Sequence, residues 1–360
     1  MKKRKVLAVL LCAAMTAALA VGCGGSKGSD SSDKSSDSSS SSDDVITVGF
    51  SQVGAESDWR TANSQSMKDT FSKENGYDLI FDDAQQKQEN QITAIRNFIQ
   101  QEVDYILLAP VTETGWDTVL QEAKDADIPV IIVDRMVDVS DDSLYTTWIG
   151  TDALCEGRKA AEWLNGFAEA KGIAASDIHI ADIQGTIGST AQIGRTKGLE
   201  AACKENKNWT LLAKETGEFT QAKGQEVMES LLKKHGDDID VVYCENDNEA
   251  FGAIDAITAA GKKVGTGKDD ILVMSFDSTK TGLTDVKDGK IILDTECNPL
   301  HGPRVEEIIK SLEAGKEPDK KQYVDEEVFA AVKDVAKISA DGKDYDVTVV
   351  TDDVISKRAY

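Results

Sequence analysis

The stretch VGFSQVGAESDWR, residues 48–60, joins an apolar run to a polar loop that carries a Trp and an Arg. A second stretch has the same form, because the apolar run Pro129–Val133 is followed directly by Asp134 and Arg135. In an open parallel sheet, ligands bind just past the carboxyl ends of the strands. Both stretches therefore predict an α/β fold in which polar strand ends form a ligand site.

The same alternation extends along the chain in both directions from these two stretches. Tyr105–Ala109 is an unbroken apolar run, which is typical of a strand buried on both faces. Trp116 then begins a stripe of apolar residues at helical spacing, and we interpret it as a core residue. The strand–helix pattern restarts after Asp152, whereas the last forty residues give no readable pattern. Two successive units of similar size predict two parallel-sheet lobes with a cleft between them.

The residue types at the strand ends suit a sugar better than a phosphate. Arg presents a rigid fork of donors, and an aromatic face can stack on a small ring. A phosphate would instead favour a Gly-rich cradle at a helix N-terminus. The candidate ligand residues are Glu56, Ser57, Asp58, Trp59, Arg60, Asp134 and Arg135 in the first lobe and Arg195, Phe219, Asn246 and Asp277 in the second.

Each candidate also has a purely structural explanation. The alternatives are a helix N-cap for Asp58 and Asp277, a turn for Asn246, a solvated helix face for Arg195, and the core for Trp59 and Phe219. The convergence of all these residues at predicted strand ends favours the ligand-binding interpretation.

The composition argues against several other classes of function. A formal net charge of −24 and a pI near 4.5 disfavour binding to nucleic acid or to anionic lipid headgroups. Common nucleophile, P-loop and zinc-protease motifs are absent from the sequence, and the cysteines show no C-x-x-C spacing. We therefore expect neither an enzyme nor a cofactor or metal. The alternative is a glycoside-processing enzyme that uses Asp134 and Asp277 as its carboxylate pair.

The N-terminus has the form of an export segment. A basic start precedes the apolar run Val6–Val21, which is short for a membrane span. Residues 1–22 are predicted to be a lipoprotein-type signal peptide, because the stretch ending at Cys23 resembles a bacterial lipobox. The Ser- and Asp-rich residues 23–44 are predicted to be a flexible tether.

Several stretches resemble the type I periplasmic sugar-binding proteins of ABC importers, and within them the galactofuranose-binding branch. The matching stretches include VGFSQVGAESDWRTAN, DDAQQKQENQITAIRNFI and SFDS. The resemblance implies two doubly wound parallel-sheet lobes joined by a three-segment hinge that crosses near Thr151, Cys297 and Glu317. The first lobe would comprise 45–150 and 297–317, and the second 151–296 and 318–360.

The resemblance also implies a function. The eleven candidates would contact a monosaccharide, galactofuranose or galactose, and the closed protein would deliver the sugar to a membrane permease. We expect a monomer that is held at the outer face of the bacterial cytoplasmic membrane by a lipid on Cys23. The alternative within the binding class is a sensor that signals to a chemoreceptor or a histidine kinase.

Overall fold

The computed structural model describes residues 45–267 and 270–360, which form two α/β lobes within one compact unit. The predicted signal peptide 1–22, the lipidation site Cys23 and the tether 23–44 lie outside the described residues. Among the described helices, none combines the length and the apolar character needed to cross a membrane.

The secondary structure alternates as the apolar pattern predicts. The strands are β1 Ile46–Gln52, β2 Tyr77–Asp83, β3 Tyr105–Leu108, β4 Val130–Val133, β5 Thr147–Gly150, β6 Ile178–Gln184, β7 Trp209–Thr216, β8 Val241–Cys244, β9 Leu272–Asp277, β10 Leu293–Glu296, β11 Lys321–Tyr323, β12 Val328–Ala330, β13 Lys337–Ala340 and β14 Lys343–Val349. The helices are α1 Asp58–Thr70, α2 Gln88–Gln100, α3 Asp117–Asp125, α4 Ala153–Ala170, α5 Thr190–Glu205, α6 Gln221–His235, α7 Asp247–Ala259, α8 Lys280–Lys287, α9 Gly302–Glu313 and α10 Asp352–Lys357.

The two lobes repeat one sheet topology. The first sheet has the order β2-β1-β3-β4-β5-β11, and the second has the order β7-β6-β8-β9-β10-β12-β14-β13. The first five strands of each lobe therefore follow the doubly wound order 2-1-3-4-5, and they are parallel. In this order the winding reverses beside the first strand of each lobe, which opens a crevice at the strand carboxyl ends. The predicted fold class is confirmed.

The last forty residues, unreadable in the sequence, complete both sheets. β11 adds a parallel edge strand to the first sheet beside β5. In the second sheet β12 lies antiparallel to β10, and β13 and β14 form an antiparallel pair. The second sheet is consequently mixed at this edge, because β12 enters it from the third crossing antiparallel to β10, and a short reversal joins β13 to β14.

The chain passes between the lobes in three places. The first crossing joins β5 to α4 through Thr151, and the second joins β10 to α9 through Cys297. The predicted third crossing near Glu317 is misplaced, because β11 still pairs with β5 of the first sheet. That crossing lies between Tyr323 and Val328, so residues 318–323 belong to the first lobe.

Each sheet is covered on both faces by apolar side chains. Trp116 is fully buried in the first lobe, as predicted, at the start of α3. α9 also packs in the first lobe, and a Cβ on its Gly302 would lie 2.3 Å from the carbonyl oxygen of Ser66 in α1. This close contact between α9 and α1 holds α9 in the first lobe, so the chain enters the first lobe again after the second crossing.

Candidate functional site

A narrow cavity of about 30 Å³ lies between the carboxyl ends of the strands in the two lobes. The lining residues are Glu56, Ser57, Trp59, Arg60, Asp134, Arg135, Ala191, Arg195, Phe219, Asn246, Asp277 and Cys297. The cleft is closed, because these side chains come from both lobes and are almost entirely removed from solvent.

Arg60 is held in the first lobe by three acceptors. Its Nε donates to Glu56 Oε1 at 3.0 Å, and one terminal nitrogen donates to Asp134 Oδ2 at 2.7 Å. The other terminal nitrogen donates to Gln52 Oε1 at 3.2 Å. Ser57 caps α1 by accepting from the Arg60 backbone N–H at 3.1 Å, which sets the angle at which the Arg leaves the helix. The guanidinium is therefore fixed before any ligand enters.

Arg135 connects the first lobe to the second. It donates to the carbonyl oxygen of Val111 at 2.9 Å, and it lies 3.7 Å from a Glu56 carboxylate oxygen. Its Cζ lies 5.2 Å from the ring centroid of Phe219, which belongs to the second lobe. Burial and the neighbouring Arg60 lower the pKa of Arg135 to about 10, so the guanidinium stays charged at neutral pH.

Arg195 is the matching cation of the second lobe. Its Nε donates to Glu156 Oε2 at 2.8 Å, and one terminal nitrogen donates to the carbonyl oxygen of Glu245. The other terminal nitrogen lies 3.7 Å from an Asp277 carboxylate oxygen. The close approach of α4 to α5 places the Arg here, since a Cβ on Gly157 would lie 2.7 Å from the Arg195 carbonyl oxygen.

Two aromatic rings form walls of the cavity. The indole N–H of Trp59 donates to the carbonyl oxygen of Cys297 at 2.6 Å, and the Arg60 guanidinium lies 4.6 Å from the Trp59 ring centroid. Phe219 has a φ of 61°, a conformation that L residues rarely adopt. Its ring occupies the space beside Gly185, where a Cβ would lie 1.9 Å from the ring.

The pKa values of the two cavity aspartates, Asp134 and Asp277, are shifted in opposite directions. Burial alone would raise the pKa of Asp134, but Arg60 and Arg135 outweigh that effect and hold it below its ordinary value. Burial raises the pKa of Asp277 well above its ordinary value, although Arg195 opposes the shift. Asp134 is therefore an ionised acceptor, whereas Asp277 still lacks a strong donor within hydrogen-bond distance among the described residues.

Both polar atoms of the Asn246 side-chain amide make hydrogen bonds within the protein. Its oxygen caps α7 by accepting from the Glu249 N–H at 2.9 Å, and its nitrogen donates to the Phe219 carbonyl oxygen at 3.2 Å. It therefore fixes the Phe219 loop and also lines the cavity. The N-cap alternative is wrong for Asp58 and Asp277, because Ser57 and Thr279 occupy the cap positions of the adjoining helices.

Burial and position also decide between the structural and the ligand-binding interpretations of Arg195, Trp59 and Phe219. Arg195 is 2% exposed, so it does not lie on a solvated helix face, and Trp59 and Phe219 are buried against the cavity. Every predicted ligand residue except Asp58 lines the cavity. Asp58 is exposed on the first turn of α1, and its backbone N–H donates across the cleft to Asn248 Oδ1 at 3.0 Å.

The sequence prediction did not include several residues of the site. Ala191 and Cys297 line the cavity, and Gln52 and Glu156 hold the two guanidiniums Arg60 and Arg195. Gln52 carries a readable signal, because it is a polar residue at the carboxyl end of an apolar strand. Ala191 and Glu156 carry none, since each lies in an ordinary helical turn of α5 or α4.

Direct hydrogen bonds between the lobes also close the cleft away from the cavity. The backbone N–H of Glu113, which follows β3, donates to the Gly188 carbonyl oxygen at 2.9 Å. The Thr190 hydroxyl donates to Glu113 Oε1 at 2.7 Å and accepts from the Met136 N–H at the same distance. We call the pair Glu113 and Thr190 the interlobe latch.

The site is suited to binding a small polyhydroxyl compound. Three buried guanidiniums offer hydrogen-bond donors, while Asp134 and Asp277 offer acceptors from opposite lobes. Two aromatic faces supply apolar contact. Because the groups come from both lobes, a ligand that bridges them favours the closed form.

Comparison with known proteins places this arrangement among binding proteins. Residues 48–293 match the family model described as a periplasmic binding protein domain. The chain is 42% identical over 278 residues to the galactofuranose-binding protein YtfQ of Escherichia coli K12, across 76% of this chain and 85% of that protein. It is 31% identical over 292 residues to the fructose import binding protein FruE of Bifidobacterium longum, across 79% and 84% of the two chains.

Solved structures give the same result. A protein from Mycobacterium smegmatis in complex with β-D-fucofuranose superposes with a TM-score of 0.75 at 44% identity, covering 79% of this chain and 91% of that one. The binding protein of the arabinose ABC transporter of Shewanella sp. ANA-3, bound to L-arabinofuranose, superposes with a TM-score of 0.74, also at 44% identity. That match covers 79% of this chain and 92% of the Shewanella protein.

Proposed function

The chain belongs to the periplasmic binding protein family, and we propose that it binds a monosaccharide in the interlobe cavity for an ABC importer. The sugar we favour is galactofuranose or galactose. The observation that carries this proposal is the set of three buried guanidiniums and two aspartate carboxylates that meet between the lobes. Charged hydrogen bonds to hydroxyl groups are stronger than neutral ones, and they reject analogues that lack a hydroxyl.

In this proposal each group of the cavity has its own role. Arg60, Arg135 and Arg195 donate to ring and hydroxyl oxygens of the sugar. Asp134 and Asp277 accept from its hydroxyls, while Trp59 and Phe219 cover its faces and Asn246 orients the second wall. Glu56 and Ser57 hold Arg60 in place. The five-membered ring is favoured because two similar solved proteins carry fucofuranose and arabinofuranose.

The transport role rests on the export segment and on the relatives. YtfQ and FruE are a galactofuranose-binding protein and a fructose import binding protein, respectively. We infer that this chain is a monomeric lipoprotein, anchored through Cys23 outside the cytoplasmic membrane, which presents its closed form to a permease. The sugar leaves unchanged, so no enzymatic step is expected. Mass spectrometry of the purified membrane form tests the acylation of Cys23.

A thermal-shift screen of residues 45–360 tests the sugar assignment. The panel contains pentoses and hexoses in both ring forms, including galactofuranose. A ligand that binds only the native state raises the melting temperature by mass action. We expect the largest rise with galactofuranose or galactose. A rise with a different sugar alone would overturn the assignment within the class, and no rise with any sugar would overturn monosaccharide binding.

A further inference from the structure

The three interlobe crossings meet at one carboxyl group. Glu326, in the third crossing, accepts at Oε1 from the hydroxyl of Thr151 in the first crossing. The same oxygen accepts from the backbone N–H of Asn298 in the second crossing at 2.9 Å. Among the described residues, one side-chain atom therefore joins all three segments that must bend when the cleft opens.

The crossings are also connected to the sugar cavity at this point. The carbonyl oxygen of Cys297 accepts a hydrogen bond from the indole N–H of Trp59. The Cys297 Sγ lies 3.5 Å from the Thr151 hydroxyl oxygen. Polar atoms of Glu156, Cys297 and Glu326 lie within 4.8 Å of one another. Because Glu156 also holds Arg195, the hinge contacts and the ligand-facing groups of both lobes share one cluster.

Two cations lie beside this cluster. The Lys159 ammonium lies 3.5 Å from the backbone carbonyl oxygen of Glu326, and Arg195 pairs with Glu156. The Glu326 carboxyl group is held by the Thr151 hydroxyl and the Asn298 N–H, so its contacts join segments of the chain. Glu326 itself does not line the cavity.

We propose that Glu326 is a positioning residue that holds the three crossings in the closed geometry and thereby sets how readily the cleft opens. The proposal rests on the proposed function, since a binding protein of this kind works by opening and closing. Removing the carboxyl group frees Thr151 and Asn298 from each other, which lowers the stability of the closed geometry relative to open forms.

The test measures opening in sugar-free protein by scattering, with the alkylation of Cys297 as a supporting readout. The Cys297 thiol is 5% exposed and faces the cavity, so separation of the lobes exposes it to iodoacetamide. Its alkylation rate is measured by peptide mass spectrometry, with the half-buried Cys203 as the internal reference. Scattering decides the test, because Glu326 and Thr151 lie beside the Cys297 thiol and their substitution also changes its reactivity directly. Small-angle X-ray scattering of the same samples reports the mean separation of the lobes.

The variants separate the carboxyl contact from a general loss of structure. We expect Glu326→Ala to be more extended and to alkylate at least about fivefold faster, as the loss of two hydrogen bonds predicts for a two-state equilibrium. Glu326→Gln keeps an accepting oxygen and should stay within about twofold of wild type. Glu327→Ala removes an exposed carboxylate one residue away and should have no effect.

Three results would overturn the proposal. One is an unchanged scattering profile for Glu326→Ala, and another is an equal change for Glu327→Ala. If Glu326→Ala does not fold, Thr151→Val removes one donor while keeping the side-chain shape, and an unchanged scattering profile for that variant would be the third. Both readouts are made without sugar, so they are independent of the thermal-shift screen that tests the proposed function.

Discussion

Asp134 and Asp277 face the same cavity from opposite lobes, yet their surroundings differ. Asp134 already accepts from Arg60 at 2.7 Å, and its pKa is held low by Arg60 and Arg135 despite burial. Among the described residues, the cation that pairs with Asp277 is Arg195, at 3.7 Å, and burial keeps the pKa of Asp277 high. The first carboxylate is thus ready to accept from a sugar hydroxyl, while the second gains most from a new donor.

Asp134→Asn tests the ionised acceptor. A hydrogen bond to a charged group contributes about 1.5–3 kcal/mol, so we expect sugar affinity to fall about 10- to 150-fold. Isothermal titration calorimetry measures the loss. Asp138→Asn, which neutralises an exposed aspartate four residues further on, is the matched control and should bind as wild type does. Equal affinities for the two variants would contradict the assignment.

At the scale of elements, loops that follow the strands of one lobe contact helix N-termini of the other. The interlobe latch is the clearest case, because Glu113 follows β3 and Thr190 begins α5. Neither residue lines the sugar cavity. The latch therefore stabilises closure without touching the ligand, and its free energy adds to the apparent affinity.

A double-mutant cycle tests the latch. We expect Glu113→Ala and Thr190→Val each to weaken sugar binding, and the double variant to be little weaker than either, with a coupling free energy of about 0.5–3 kcal/mol. Glu113→Gln keeps an accepting oxygen and should retain most of the affinity. Additive losses, measured by calorimetry, would show that the two side chains do not act together.

Over the whole molecule, buried carboxyl groups make stability depend on pH. Burial raises the pKa of Glu245 to about 8, although its hydrogen bonds to Thr196 and Gly185 oppose the shift. Burial also raises the pKa values of Asp182 and Glu249 well above their ordinary values. The native state consequently binds more protons than the unfolded chain between the ordinary glutamate pKa and about pH 8.

The free energy of unfolding should therefore fall as pH rises through this window. Burial lowers the pKa of His301 to about 4, so this residue makes the free energy of unfolding rise with pH up to the ordinary histidine pKa. The decline from the carboxyl groups is therefore clearest above about pH 7, where the contribution of His301 has ended. Urea denaturation at about pH 6.5, 7.5 and 8.5, values that span the raised pKa of Glu245, measures the decline in the free energy of unfolding. Glu245→Gln should make the decline shallower, whereas Glu169→Gln, at an exposed site, should not. A steeper decline in Glu245→Gln would contradict this explanation.

Much of the fold follows from local sequence. The unbroken apolar runs at β3 and β4 fix buried parallel strands, and the polar residues that end the strands mark the cleft, because periodicity and strand direction are local properties. Arg60 and Arg135 could be placed in the cavity for this reason alone.

Tertiary structure alone decided the third crossing, the contacts that join the three crossings, the latch and the end of the chain. β11 pairs with β5 across more than 170 residues, so a run that shows no periodicity becomes an edge strand through its partner. Glu326, Thr151 and Cys297 have no shared sequence signal, because three distant segments bring them together. Sequence determined the lobes and the strand ends, whereas the closed cleft depends on contacts between residues far apart in the chain, whose free energy no local pattern encodes.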